Sequence, residues 1–366
     1  MTSYWSRVGL ALAAVGMSQI GASATSQYVP PQYMPPTTST IRAAQPSQPA
    51  RAPVYLQNRI TALGSQFNGR VGISVKSVNE GWNVGWKADE LYPQQSVSKL
   101  WVAITALDAV DKGRVRMDQK VNLTRSDLTL FHQPIAAKIL GGGTTMSLSE
   151  LMYQALTRSD NTANDKLMRS VGGPAAVRAM IAEKRLGAIR FYDGERALQS
   201  KIAGLIWTPS YSIGGAFYKA RGALPQSVRK AAFDRYVQDP YDGASASAIA
   251  NALARLKRGE LLSASSTARL LSVMGNTKTG ANRLKGGLKP GWSLSHKTGT
   301  GQVLGAVQAG YNDIGVLTAP DGRSYAVAVM IKRTATPLPT RMTLMNNVVR
   351  AVINQHEMTR APAYTL

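Results

Sequence analysis

Apolar and polar positions alternate with a helical period over residues 54–67, an amphipathic segment that opens the foldable part of the chain. Two short runs suited to strands follow, 71–75 (Val-Gly-Ile-Ser-Val) and 82–86. Asn79-Glu80-Gly81 between them supplies turn chemistry, so the pair predicts an antiparallel hairpin. Residues 98–111 are apolar on nearly every face, the mark of a helix buried in the middle of a domain. Helical patterning then dominates, at 147–157, 163–171, 175–183, 245–256 and 265–274. The strand pattern returns at 292–297, 303–311 and 325–331, and a last helix covers about 340–355. Sheet segments at both ends enclosing a helical middle predict an α/β fold of two lobes. One lobe, about 54–95 and 275–358, is a sheet with flanking helices. The other, about 96–274, is an inserted all-helical lobe, and 359–366 is a tail. There is no internal repeat.

Composition changes this picture at the N-terminus. Residues 1–7 form a short cationic start and 8–15 an apolar run, and Ala22-Ser23-Ala24 has the A-x-A form of a cleavage site. Residues 1–24 are therefore expected to direct export, to the periplasm or beyond the cell. The apolar run is too short for a bilayer span, and no later stretch is long and apolar enough. Residues 25–53 are rich in Pro, Gln, Ser and Thr and read as a flexible tether. The chain has no cysteine, which excludes disulfides and thiolate metal sites. Its formal net charge is +23, but the Lys and Arg are dispersed, without basic runs or an interleaved aromatic ladder. That pattern suits weak attraction to anionic cell-envelope polymers and argues against nucleic-acid binding.

Three short motifs carry the chemistry, in the order Ser96-Val97-Ser98-Lys99, Ser159-Asp160-Asn161 and Lys297-Thr298-Gly299. Ser96 falls at the start of the buried helix, where unpaired N–H groups and the helix dipole favour developing negative charge. Lys99 is one helical turn on, so its amine shares a face with the Ser96 hydroxyl. A serine hydroxyl needs such a neighbour to accept its proton before it is a useful nucleophile. Ser159 and Asn161 are expected in a turn between two helices of the middle lobe, and Lys297 on a strand bordering the same cleft. Second matches exist at Ser227-Val228-Arg229-Lys230 and Lys278-Thr279-Gly280, each in the wrong order or setting. The three histidines, His132, His296 and His356, lack metal-ligand spacing, and His296 reads as structural. No metal or cofactor is expected.

From about residue 70 to 355 the chain resembles the class A β-lactamase family, the set S-x-x-K, S-D-N and K-T-G being shared by those enzymes and penicillin-binding proteins. Residues 151–173 around the S-D-N turn, Arg258-Gly259-Glu260-Leu261-Leu262 and Pro320-Asp321-Gly322 extend the likeness. The resemblance implies the two-lobed serine β-lactamase-like fold, a β-lactam substrate, a Ser96 acyl-enzyme and a monomeric enzyme. It implies that Ser159 relays a proton to the leaving nitrogen, that Lys297 assists, and that the N–H groups of Ser96 and Thr300 form an oxyanion hole. Substrate contacts would come from Asn161, Thr298, Gly299, Thr300 and Phe131. Glu195-Arg196-Ala197-Leu198-Gln199 resembles the family's E-x-x-L-N, with Gln for Asn, making Glu195 the base that activates the deacylating water and Gln199 its companion.

The chain also departs from the pattern. Asp193 stands where the family has an arginine that closes the glutamate-bearing loop, so that salt bridge is absent or rebuilt. An insert at about 200–243 reshapes the cleft or covers it. No arginine follows Lys297 at about ten residues to hold a substrate carboxylate. A slowly deacylating peptidase or esterase of the penicillin-binding kind, and a non-catalytic envelope-binding protein, are the competing readings.

Overall fold

The computed structural model describes residues 50–359. The expected leader, 1–24, and most of the tether and tail lie outside the described residues. A six-stranded antiparallel sheet comprises β1 (Arg70–Ser77), β2 (Asn83–Trp86), β3 (Ser293–Thr300), β4 (Val303–Leu304), β5 (Val307–Thr318) and β6 (Ser324–Thr334). Its order is β2-β1-β6-β5-β3, with β4 pairing β5, so strands from both ends of the chain share one sheet. The expected 303–311 strand is instead a tight hairpin: Gly305 takes φ +60°, and the chain turns there between β4 and β5.

Helices α1 (Val54–Gln66) and α11 (Leu338–Met358) cover one face of the sheet. Leu56, Ile60, Val348 and Val352 pack there against Val327, Val329 and Ile331 of β6. The alternate β6 residues Ala326, Ala328 and Met330 point the other way, into a second core built around α2 (Lys99–Asp111). Burial runs unbroken from Lys99 to Ala109, which is why this helix shows no polar stripe. Around it lie α3 (Leu148–Thr157), α4 (Asn161–Ser170), α5 (Gly173–Glu183), α9 (Ala246–Lys257) and α10 (Ala264–Gly275). Between α5 and α9 come α6 (Glu195–Ile202) and the insert, which holds α7 (Ala216–Ala223) and α8 (Gln226–Gln238). The insert has its own small core, with Phe233, Tyr236 and Val237 packed on Leu198 and Ile202 of α6.

Candidate active site

The site begins at a strained turn. Gln95 takes φ +54°, uncommon for any residue but glycine, and starts the 3₁₀ turn Gln95–Ser98 that runs into α2. Its N–H donates to Asp242 Oδ2 at 2.7 Å, and its side-chain amide donates to Tyr236 Oη at 2.6 Å. These bonds hold the turn so that Ser96 faces a cavity of about 410 Å³. One turn along, Lys99 is 1% exposed. Its Nζ donates to Ser96 Oγ at 2.7 Å, to Asn161 Oδ1 at 2.8 Å and to the Glu195 carboxylate.

The S-D-N turn is positioned by its middle residue. Asp160 caps α4 by accepting the Ala163 N–H at 2.8 Å, and it also accepts the Ile135 N–H at 2.8 Å. Ser159 is forced to φ +59°, and its Oγ accepts from Lys297 Nζ at 3.0 Å. Asn161 is fixed by a 2.9 Å bond from Nδ2 to the Leu130 carbonyl. Lys297 is fully buried on β3; burial first, then the neighbouring Lys99 and Arg283, hold its pKa well below the usual lysine value. Gly299 allows β3 to press against the turn, since a Cβ there would lie 2.3 Å from the Gln94 carbonyl oxygen.

Glu195 is the first residue of α6 and is 3% exposed. Its N–H donates to Asp165 Oδ1 at 3.0 Å, and its Oε2 accepts from Gln199 Nε2 at 3.2 Å. Gln199 also donates to Gln95 Oε1 and accepts from Gln302 Nε2, each at 3.0 Å. Asp165 is pushed up to about 6, by burial first and by the Glu195 charge second. Asp242, buried beneath Gln95, is pushed up to about 7, again chiefly by burial. Phe131, at φ +61°, lines the cavity and stacks edge-on against Phe217 of the insert with centroids 4.8 Å apart.

Hydrogen bonds thus join Ser96, Lys99, Asn161, Glu195 and Gln199, and a second set joins Ser159 to Lys297. Thr300 lines the same cavity as Ser96. Asp193, where the closing arginine was missing, pairs with Arg178 of α5 at 3.0 Å, so an exposed bridge is rebuilt with the charges on different positions. The second K-T-G match has a structural part: Thr279 Oγ1 bonds Thr298 Oγ1 at 2.7 Å. The second S-x-x-K match lies on α8 with Ser227 and Lys230 exposed. His296 is buried against Asp313 at 2.9 Å. Among the described residues no cluster of His, Asp and Glu suits a metal ion.

Arg283 was missed by sequence reasoning. It comes from the loop after α10, fourteen residues before Lys297 (297 − 283). Its Nη2 donates to Thr300 Oγ1 at 2.6 Å, and its Nη1 donates to the Gly299 and Asn312 carbonyls at 3.0 and 2.7 Å. The guanidinium lies 3.9 Å from the centre of the Tyr311 ring. It supplies a cation behind Thr300 where no arginine after Lys297 was found. No motif announces it, because two of its partners are main-chain carbonyls.

Comparison with known proteins identifies a family. A model described as the beta-lactamase enzyme family matches residues 55–356. The chain is 27% identical over 264 residues to Beta-lactamase VEB-1 of Pseudomonas aeruginosa, covering 72% of this chain and 78% of that one. It is 29% identical over 264 residues to Extended-spectrum beta-lactamase PER-1 of the same organism, covering 71% and 74%. Among solved structures, a β-lactamase from Chitinophaga pinensis superposes with a TM-score of 0.68 at 26% identity, covering 82% of this chain and 99% of that one.

Proposed function

The chain belongs to the β-lactamase enzyme family, and from that premise we propose that it hydrolyses β-lactams through an acyl-enzyme on Ser96, with Glu195 activating the water that releases the product. The observation that carries this reading is the position of Lys99, whose one amine touches both the Ser96 hydroxyl and the Glu195 carboxylate. The Ser96 proton leaves toward this pair as Oγ attacks the lactam carbonyl. The N–H groups of Ser96 and Thr300 receive the oxyanion. As the ring C–N bond breaks, Ser159 passes a proton to the nitrogen, and Lys297 restores it along the 3.0 Å bond between them. Asn161 and Phe131 flank the acyl side of the cavity, while Thr300, which follows Thr298 and Gly299 on β3 and has Arg283 behind it, lines the side that takes the ring carboxylate. Before the second half, solvent carries the proton held by the Lys99–Glu195 pair back to Lys297. Glu195 then takes a proton from water, hydroxide adds to the ester carbonyl, and Glu195 hands that proton to Ser96 Oγ as the ester C–O bond breaks and the ring-opened acid is released.

The test is turnover of a chromogenic cephalosporin, followed by intact-protein mass spectrometry. The wild-type chain should turn over without an accumulating adduct, Ser96→Ala should form none, and Glu195→Gln should accumulate the acyl-enzyme. A stable wild-type adduct without turnover would replace this reading by that of a slowly deacylating peptidase. Unchanged turnover in Glu195→Gln would remove Glu195 from the deacylation step. The proposal includes export to the periplasm, supported by the leader pattern of residues 1–24 and checked by cell fractionation. The exported protein acts as a monomer with weak, salt-sensitive attraction to envelope polymers. Among the described residues no helix is long and apolar enough to cross a membrane.

A further inference from the structure

One wall of the cavity over Ser96 carries a charge that the ring chemistry leaves unused. The insert contributes Tyr218 and Arg221 of α7 to that wall, against Gln302 and Val303 at the sheet edge. A guanidinium has five N–H donors, and Arg221 commits one, from Nη2 to the Val303 carbonyl at 2.9 Å. Behind it stands Arg229 of α8, whose Nε is buried without a hydrogen-bond partner. Neither arginine has an acidic partner among the described residues. Burial, then the Arg229 charge, lower the Arg221 pKa from its usual value. Two partly buried like charges without a counter-ion are unfavourable until an anion joins them.

The sheet register fixes where this charge sits. Thr300 lies opposite Tyr311 of β5 and Val303 lies opposite Gln308. Three residues along a strand are about 10 Å, so the Val303 carbonyl that holds Arg221 is well removed from the Thr300 and Arg283 station. A substrate acylating Ser96 therefore meets cations at two separate places along one sheet edge. Phe131 and Tyr218, with centroids 6.0 Å apart, line the same cavity and give it an apolar surface.

We propose that Arg221, backed by Arg229, recognises an anionic group on the acyl side chain of the substrate, so that the enzyme favours β-lactams whose side chain carries a carboxylate in addition to the one on the ring. This rests on the reading that β-lactams acylate Ser96, and the experiment separates the two. Steady-state kcat/KM is measured for a cephalosporin with a side-chain carboxylate and for the methyl ester of that carboxylate, in the wild-type chain, Arg221→Gln and Arg221→Glu. Loss of a charge-assisted hydrogen bond corresponds to about tenfold or more. The acid-to-ester ratio should fall by about that factor in Arg221→Gln and further in Arg221→Glu, and the wild-type ratio should fall with added salt. Arg229→Gln should lower the ratio in the same direction by less. Because each protein is compared with itself on two substrates, a general loss of folding or activity cancels. A ratio within about twofold of wild type in both Arg221 variants overturns the proposal. If the wild-type chain turns over neither compound, the underlying reading fails, and the ratio of dissociation constants on the same proteins then decides for or against Arg221.

Discussion

Replacing Asp165 by Asn should stabilise the protein, and only at pH values where the aspartate is charged. Asp165 is 2% exposed and accepts the Glu195 N–H at 3.0 Å. Burial and the nearby Glu195 carboxylate raise it from 3.8 to about 6. The folded protein therefore binds the proton more tightly than the unfolded chain, and stability falls as pH rises from about 4 through 6. Above both values the penalty is about 3 kcal/mol. Asparagine keeps an oxygen for the Glu195 N–H and removes the charge, so Asp165→Asn should gain about 1–3 kcal/mol at pH 7.5. At pH 4 the gain should shrink below about 1 kcal/mol, since both states of the wild type then hold the proton for much of the time. Urea unfolding at the two pH values, analysed with a common slope, measures this directly. A variant no more stable than wild type at pH 7.5, or one whose gain is the same at pH 4, would refute the claim that a buried charge is held beside Glu195 at a cost.

Two further outcomes follow from the same network. Tyr236→Phe deletes the hydroxyl that accepts from Gln95 Nε2 at 2.6 Å and donates to Asp242 Oδ1 at 2.9 Å. It should lose about 1–3 kcal/mol in urea unfolding and lengthen the lifetime of the acyl-enzyme seen by mass spectrometry, because Gln95 also holds Gln199 against Glu195. Arg283→Ala removes the cation behind Thr300 and should lower kcat/KM about tenfold or more for substrates with a ring carboxylate, mainly by raising KM. Arg283→Lys, which keeps the charge without the planar fork, should recover part of that loss.

What was legible in the sequence is what short-range geometry fixes. Ser96 and Lys99 are one turn apart where the 3₁₀ turn runs into α2, so their contact is local, and the unbroken apolar run that predicts α2 is the reason it lies at the centre of the helical lobe. Lys297 and Ser159 are distant in the chain, and their meeting was inferred from motif order and resemblance, not from any local pattern. Arg283 was invisible because its partners include the main-chain carbonyls of Gly299 and Asn312, which leave no residue signature. The apolar residues on both sides of Gly305 predict a continuous strand over 303–311, because a single glycine does not show whether a strand bends or turns back.

The insert and the missing loop arginine are best understood together. Asp193 and Arg178 form a bridge in which both side chains are about half exposed, and such a pair contributes about 0–1 kcal/mol. That is too little to keep the first residue of α6 in place against the charge of Asp165. Tyr236 and Asp242, by contrast, are 0% and 1% exposed and bond each other and Gln95, with Asp242 taking the Gln95 N–H as well. Buried polar groups with satisfied partners resist displacement, because breaking one bond strands the rest without water. Gln95 lies next to Ser96 in the chain and Gln199 one turn after Glu195, and their 3.0 Å bond ties the nucleophile's turn to the glutamate's helix. The chain added after α6 thus holds Glu195 against Lys99 from below while it places Arg221 at the mouth of the cavity. Deleting it to widen the cleft should cost acylation and deacylation together, since Asp242 and Tyr236 hold the turn that carries Ser96 and, through Gln95 and Gln199, the helix that carries Glu195.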